Sequence, residues 1–300
     1  MENKVICTTT INPPSEALKR FSKMEGWKLV VAGDKKTPSD WNLPGAIYIS
    51  PEEQEEYDKK LSDAIGWNCI QRRNFSFLYA HDMGAEVIAT VDDDNLPYDN
   101  WGQNLMVGRE IEYNHYQTDL PAFDPVGATN HKNLWHRGYP LELLPKRDYT
   151  MSSWKHTTPD VQADFWNGDP DIDAICRMQY APECVFQERY FPMGSNAMSP
   201  FNSQNVFVSS HLLRDYFMLP GVGRMDDIWA SYYLQSKGAK VVYGKPSVYQ
   251  ERNPHSLIKD MRAEYLGYEN NLEIVNNPQA MVKYIPKESL RAFELYQRHF

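Results

Sequence analysis

Cysteine is scarce in this sequence. Four residues (Cys7, Cys69, Cys176, Cys184) are scattered through 300 positions with no CxxC pair, so neither a disulfide scaffold nor a thiolate zinc site is written into it. Long apolar runs are missing too, and no stretch approaches the ~20 residues a helix needs to cross a bilayer. Positive charge is in deficit, with 31 Lys+Arg against 40 Asp+Glu and a formal net charge of −9. A general nucleic-acid binder would carry a basic footprint instead. The glycine loops that cradle phosphates are also absent: there is no GxxxxGK[ST] and no GxGxxG. Gly221-Val222-Gly223 lies far from any first-strand turn. The start, MENKVICTTTINPP, reads as a strand with no signal-peptide core. Together with free thiols, this predicts a cytoplasmic protein with no transmembrane segment.

A 42% hydrophobic and 24% charged composition is enough for one large domain. Strand and helix signals alternate over the first hundred residues. Strands are expected at Val5–Thr10, Trp27–Ala32 and Ala46–Ser50. Helices are expected from Pro13 to about Met24, from Pro51 onward, and from about Ile65 to Met83. Such βαβ alternation predicts a mostly parallel sheet covered on both faces, whose ligands bind beyond the carboxyl ends of the strands. Residues 115–200 are rich in Pro, Trp, Tyr, Asp and Asn with weak periodicity, the character of ordered loops in a substrate-binding half. Asn205–Ser210 and Lys240–Tyr243 read as later strands and Asp227–Lys237 as a helix, before a helical C-terminus. The reading is one domain: 1–114 as a nucleotide half, 115–265 as an acceptor half and 266–300 as a tail.

The run Val87-Ile88-Ala89-Thr90-Val91-Asp92-Asp93-Asp94-Asn95 carries the chemistry. A β-branched strand delivers three carboxylates into a turn. Such groups repel one another and are costly to desolvate unless a cation or hydrogen-bond donors neutralise them. Alternate carboxylates suit Mg²⁺ or Mn²⁺, hard cations that use few protein ligands and also hold a diphosphate; a solvated Asp-rich turn is the plain alternative. Thr8, Thr9 and Asp34 fall at the same end of the expected sheet. Gln71-Arg72-Arg73-Asn74 either points toward phosphate or forms a solvated basic face. Of the pair Asp226-Asp227, Asp226 is expected to cap the helix and Asp227 to reach an acceptor. His255 is a candidate metal ligand.

In this order the motifs resemble nucleotide-sugar glycosyltransferases of the GT-A fold, a Rossmann-like α/β architecture. More narrowly they resemble the reversibly glycosylated polypeptide / UDP-arabinopyranose mutase family and STELLO-type domains. The likeness rests on Arg73-Asn74-Phe75-Ser76-Phe77 ahead of Asp92–Asp94, on Arg137-Gly138-Tyr139-Pro140, on Phe165–Asp173, on Phe191-Pro192-Met193 and on Arg224–Trp229. For the STELLO domains it also rests on Val30–Pro38 and on Arg137 through Glu142. The resemblance implies a nucleotide pocket of Thr8, Thr9, Asp34, Arg73, Asp92 and Asp93. It implies a Mn²⁺ or Mg²⁺ ion on Asp92 and Asp94, with any late histidine role left to His255 or to no residue, and an acceptor side with Arg137, Trp166, Asp169, Asn205, Asp226 and Asp227. It further implies a nucleoside-diphosphate sugar as donor and a glycan or other hydroxyl as acceptor. The mutases carry a glycosylated arginine where this chain has Leu144, and "WH" where it has Val248-Tyr249. That favours transfer to a separate acceptor over a UDP-sugar mutase; a non-catalytic sugar-nucleotide-binding protein is a third reading.

Overall fold

The computed structural model describes residues 3–251 and 256–300. Strand β1 (Lys4–Thr9) is followed by helix α1 (Glu16–Phe21), strand β2 (Trp27–Ala32), strand β3 (Ala46–Ile49) and helix α2 (Pro51–Ile65). Helix α3 (Arg73–Asp82) then leads to β4 (Val87–Val91), and the chain continues through β5 (Asn95–Pro97), β6 (Ile111–Tyr116), β7 (Ser153–Thr157) and β8 (Val161–Gly168). Helix α4 (Ala174–Tyr180), β9 (Met193–Ser195), β10 (Asn205–Ser209), α5 (Asp226–Ser236) and β11 (Val241–Gln250) follow. Helices α6 (Leu257–Asn276) and α7 (Lys287–Gln297) end the chain.

The boundaries follow local chemistry. Ser15 accepts the amide of Leu18 and starts α1 after the two prolines. Ser50 and Glu53 form a reciprocal capping box at α2. The helix expected from Ile65 to Met83 is instead broken between α2 and α3. Gly66 and Asn68 have φ of +81° and +60°, and the amides of Asn68 and Cys69 turn aside to the carboxylate of Asp34. A 3-10 turn over Ile70–Arg72 then re-enters the helix. Left-handed backbone cannot continue a right-handed helix.

One sheet of eleven strands runs through the molecule in the order β3-β2-β1-β4-β10-β8-β11-β9-β6-β7, with β5 beside β11. Its first four strands are parallel. Beyond β4 the sheet is mixed, because β10 runs antiparallel to both β4 and β8. The parallel strands are mostly apolar, with Val5, Ile6, Val30, Val31, Ile88 and Val91 fully buried, as expected for strands covered on both faces. Much of the aromatic excess is core. Trp101 packs against Phe21, Trp27 and Phe207, and Phe165 packs against Trp166, Phe186 and Phe191. No described helix is long and apolar enough to span a membrane.

Candidate active site

The three carboxylates stand where the parallel strands end. Asp92 accepts from Nη2 of Arg73 at 2.5 Å. Arg73 is buried on the first turn of α3 and also donates to Thr90 and Ser203. Burial raises the Asp92 carboxyl above its usual range, against the pull of the Arg73 guanidinium and with added repulsion from Asp93 and Asp227. Asp93 is drawn back to the loop after β1: Thr10 and Asn12 donate to its carboxylate, and Ser15 donates to its carbonyl. Asp94 is half-buried in the same turn. Beside it, Thr9, Thr10, Asn12, Asn68, Cys69 and Asp93 line a pocket of about 180 Å³.

A second polar layer lies behind the first. Arg137 is 4% exposed and forks between two carboxylates. It donates to Asp171 at 2.9 Å from both Nε and Nη2, and to Asp227 at 2.8 and 2.9 Å. Asp227 also accepts from the amide and hydroxyl of Ser203, the serine that holds Arg73. Arg73, Ser203, Asp227 and Arg137 therefore form one continuous network between the carboxylate turn and the loops of residues 137–171. Burial opposes the charge on Asp227, but Arg137 outweighs it and holds that carboxyl below the usual range. The neighbouring Asp226 accepts the side-chain amide of Gln71 at 2.7 Å and the backbone amide of Asp227. Burial first, and then the charge of Asp227, push Asp226 up to about 7. Two adjacent carboxylates in one buried site thus divide into an ionised member and a proton-holding one.

This corrects several expectations about individual residues. Asp226 does not cap α5: the N-cap position is Met225, with no side-chain cap. Asp227 is engaged by Arg137 instead of reaching outward. Arg137, expected on the acceptor side, is itself committed to two carboxylates and braces the site. Thr8 is fully buried and donates to the carbonyl of Val91, which leaves Thr9 as the threonine of that pair at the pocket. Asp34 gathers the amides of Lys35, Asn68 and Cys69 and so fixes two of the residues that line the pocket. Arg72, the other arginine of its segment, is buried on Gln54 and Ser62 and stacks on Trp67, so its work is structural. Trp166 packs between Phe165 and His136. Asn205 is 1% exposed and bonds Trp101 and Ser247, so both residues support the site from the interior. Asp169 stays half-buried and pairs with Arg177. His255 lies outside the described residues.

Thr10, Asn12, Asn68 and Ser203 are not legible as site residues in the sequence. Their one linear signal is the run of three threonines into Asn12. The others lie far apart in the chain and meet only through the sheet. Gly138 has a visible reason to be glycine: its φ is +89°, and an added Cβ would collide with Ile228 of α5. This close approach sets Arg137 against Asp227.

No protein-family model matches the chain. Among known proteins it is similar to the probable glycosyltransferase STELLO2 of Arabidopsis thaliana, 25% identical over 286 residues that make up 86% of this chain and 37% of that one. It is also similar to the probable glycosyltransferase STELLO1 of the same plant, 26% identical over 57% of this chain and 24% of that protein. The chain spans little more than a third of the length of the first relative and about a quarter of the second. Among solved structures, glucosyl-3-phosphoglycerate synthase from Mycobacterium tuberculosis in complex with Mn²⁺, UDP-glucose and phosphoglyceric acid superposes with a TM-score of 0.50. The superposition covers 91% of this chain and 80% of that one at 11% identity. The same enzyme with Mn²⁺, UDP and phosphoglyceric acid gives a TM-score of 0.50 over 90% and 78% at 11% identity. This likeness places the chain on the GT-A fold.

Proposed function

We propose that the chain is a metal-dependent glycosyltransferase that moves a sugar from a nucleoside-diphosphate sugar, a UDP-sugar foremost, to the hydroxyl of a separate acceptor such as a glycan. The observation that carries this reading is the Asp92–Asp94 turn at the end of β4, beside the pocket of about 180 Å³. The names of the STELLO relatives and the Mn²⁺ and UDP-glucose bound by the mycobacterial neighbour support it. We assign residues 1–114 to the donor, 115–265 to the acceptor and 266–300 to a supporting tail, all within one domain.

The residues fit a cation that arrives with its diphosphate. Among the described residues there is no group of three or more His, Cys, Asp or Glu able to hold a metal alone, so no cage is built in advance. The turn nevertheless gathers Asp92, Asp93 and Asp94 beside the guanidinium of Arg73, which pairs with Asp92. In this reading Asp92 and Asp94 hold Mn²⁺ or Mg²⁺, which neutralises charge on the departing diphosphate. Thr9, Thr10, Asn12 and Asn68 face the nucleoside. Arg73 fixes the rotamer of Asp92. For transfer with inversion, Asp226 takes the proton of the acceptor hydroxyl as its oxygen attacks the anomeric carbon and the bond to the diphosphate breaks. A carboxyl that titrates near neutrality suits that task, and Asp227, held ionised by Arg137, keeps the helix start in place.

A mutase that glycosylates itself needs an accessible arginine near residue 144. Leu144 packs against the core, and the nearby Arg147 is tied to Asp124 and to the carbonyl of Leu134. Both points favour a separate acceptor. The test is nucleotide release from a panel of UDP-, GDP- and dTDP-sugars with Mn²⁺, for the parent and for Asp94→Ala. We expect release from one donor class, lost in the variant and in excess chelator. Undiminished turnover in either condition refutes the metal role, and tight donor binding without turnover would make the protein a binding module. Furanose product from UDP-arabinopyranose would restore the mutase reading.

A further inference from the structure

Most buried carboxylates of this protein have an evident partner. Asp92 has Arg73, Asp171 and Asp227 share Arg137, Asp124 has Arg147, and Glu264 has Arg224. Asp34 and Asp173 gather backbone amides. Asp164 differs. It is 8% exposed, it makes no ion pair with a described residue, and its neighbours are the Gln162 amide at 2.7 Å and the hydroxyl of Ser247. The charged side chain that faces it is Lys245 of β11, whose ammonium is engaged by Glu188 at 3.3 Å. The elements packed against it from the 98–109 loop bring the amides of Asn100 and Asn104 and the thioether of Met106.

Asp164 also lines a cavity. Together with Asn100, Asn104, Met106, Phe191 and Pro246 it encloses about 160 Å³. The space opens because the register between β8 and β11 shifts between Gly244 and Val248. Gly244 is needed there, since an added Cβ would collide with the Asp164 carboxylate. The cavity and the donor site lie on opposite faces of the sheet. Thr90 faces Arg73 and pairs with Val206, which pairs with Ala163. Side chains alternate along a strand, so the next residue, Asp164, points the other way.

We propose that this cavity is a second ligand site. It takes a small molecule whose protonated amine meets the Asp164 carboxylate and whose single-ring body packs on Met106, Phe191 and Pro246. A buried carboxylate that has neutral hydrogen-bond donors and no ion pair with a described residue is costly to ionise and gains most from a cationic hydrogen-bond donor. Burial pushes Asp164 up to about 7, so an amine that requires the anion binds more tightly as pH rises through that value.

The test uses the full chain and matched probes, benzylamine and cyclohexylamine against benzyl alcohol and cyclohexanol, titrated by calorimetry. The amines are expected to bind at least about tenfold more tightly than the alcohols, with affinity rising about tenfold from pH 6 to pH 8 as the carboxylate ionises. Asp164→Asn should erase the preference while donor turnover stays at the parental rate. Lys245→Met removes the nearby ammonium and should keep or strengthen amine binding. Equal affinity for amine and alcohol, no binding of either, a flat pH profile, or unchanged amine binding in Asp164→Asn each overturns the proposal. The parent's amine–alcohol comparison and pH profile decide it even where a variant folds poorly.

Discussion

Arg137→Met tests the central electrostatic claim, that one buried guanidinium holds two carboxylates together behind the site. The parent side chain donates five hydrogen bonds of 2.8–3.2 Å to Asp171 and Asp227. Methionine keeps much of the volume and none of the charge. Asp171 retains Asn202 at 2.9 Å and the guanidinium of Arg224 at 3.9 Å, and Asp227 retains the Ser203 amide at 3.1 Å, but both lose the cation that donates directly to them. Breaking a buried pair by deleting one partner costs about 3–5 kcal/mol. That is a large fraction of the ~5–15 kcal/mol that holds a typical domain folded. The expected result is a drop of this size in unfolding free energy at pH 8, measured by urea denaturation followed by circular dichroism.

The pH dependence gives a second readout with a fixed sign. In the parent, Arg137 depresses the folded-state pKa of Asp227. Its contribution is therefore present above the unfolded pKa near 4 and is lost as pH falls through the depressed folded value. In the variant the carboxylates can escape the penalty by binding protons. The gap between variant and parent should thus narrow steadily from pH 8 toward pH 5. A cost below about 1 kcal/mol, the range of exposed pairs, or a gap that does not change with pH would refute the reasoning. Arg137→Lys, which restores charge without the planar fork, should recover part of the loss.

Two further predictions follow from the same geometry. Asp226→Asn should lower transfer by about 10²–10⁴ in kcat if Asp226 accepts the acceptor proton, with the parent's rate rising with pH through about 7; a variant with parental kcat and an unchanged pH profile would remove it from the chemistry. Gly138→Ala should destabilise by about 1–3 kcal/mol through its left-handed backbone and the collision with Ile228, visible as a lowered Tm, and a Tm within a degree of the parent would contradict the close approach.

The strand–helix alternation, the strands Trp27–Ala32 and Val87–Val91, and the carboxylates at the end of β4 were legible in the sequence. Each depends on local periodicity and on residue types that are expensive to bury. The positions of Asp92–Asp94 beyond a parallel sheet followed from that pattern alone. Local pattern could not foresee the break at Gly66–Cys69, because it depends on Asp34 accepting amides from 34 and 35 residues away. Nor could it assign roles within Asp226-Asp227. Adjacent and chemically identical, these residues differ only in what the fold brings to them: a guanidinium from residue 137 to one, and an amide from residue 71 to the other. Composition determined that carboxylates and aromatics would be abundant. The tertiary structure decided which carboxylates keep their charge, because the cost of burying an ion is set by neighbours that are distant in the chain.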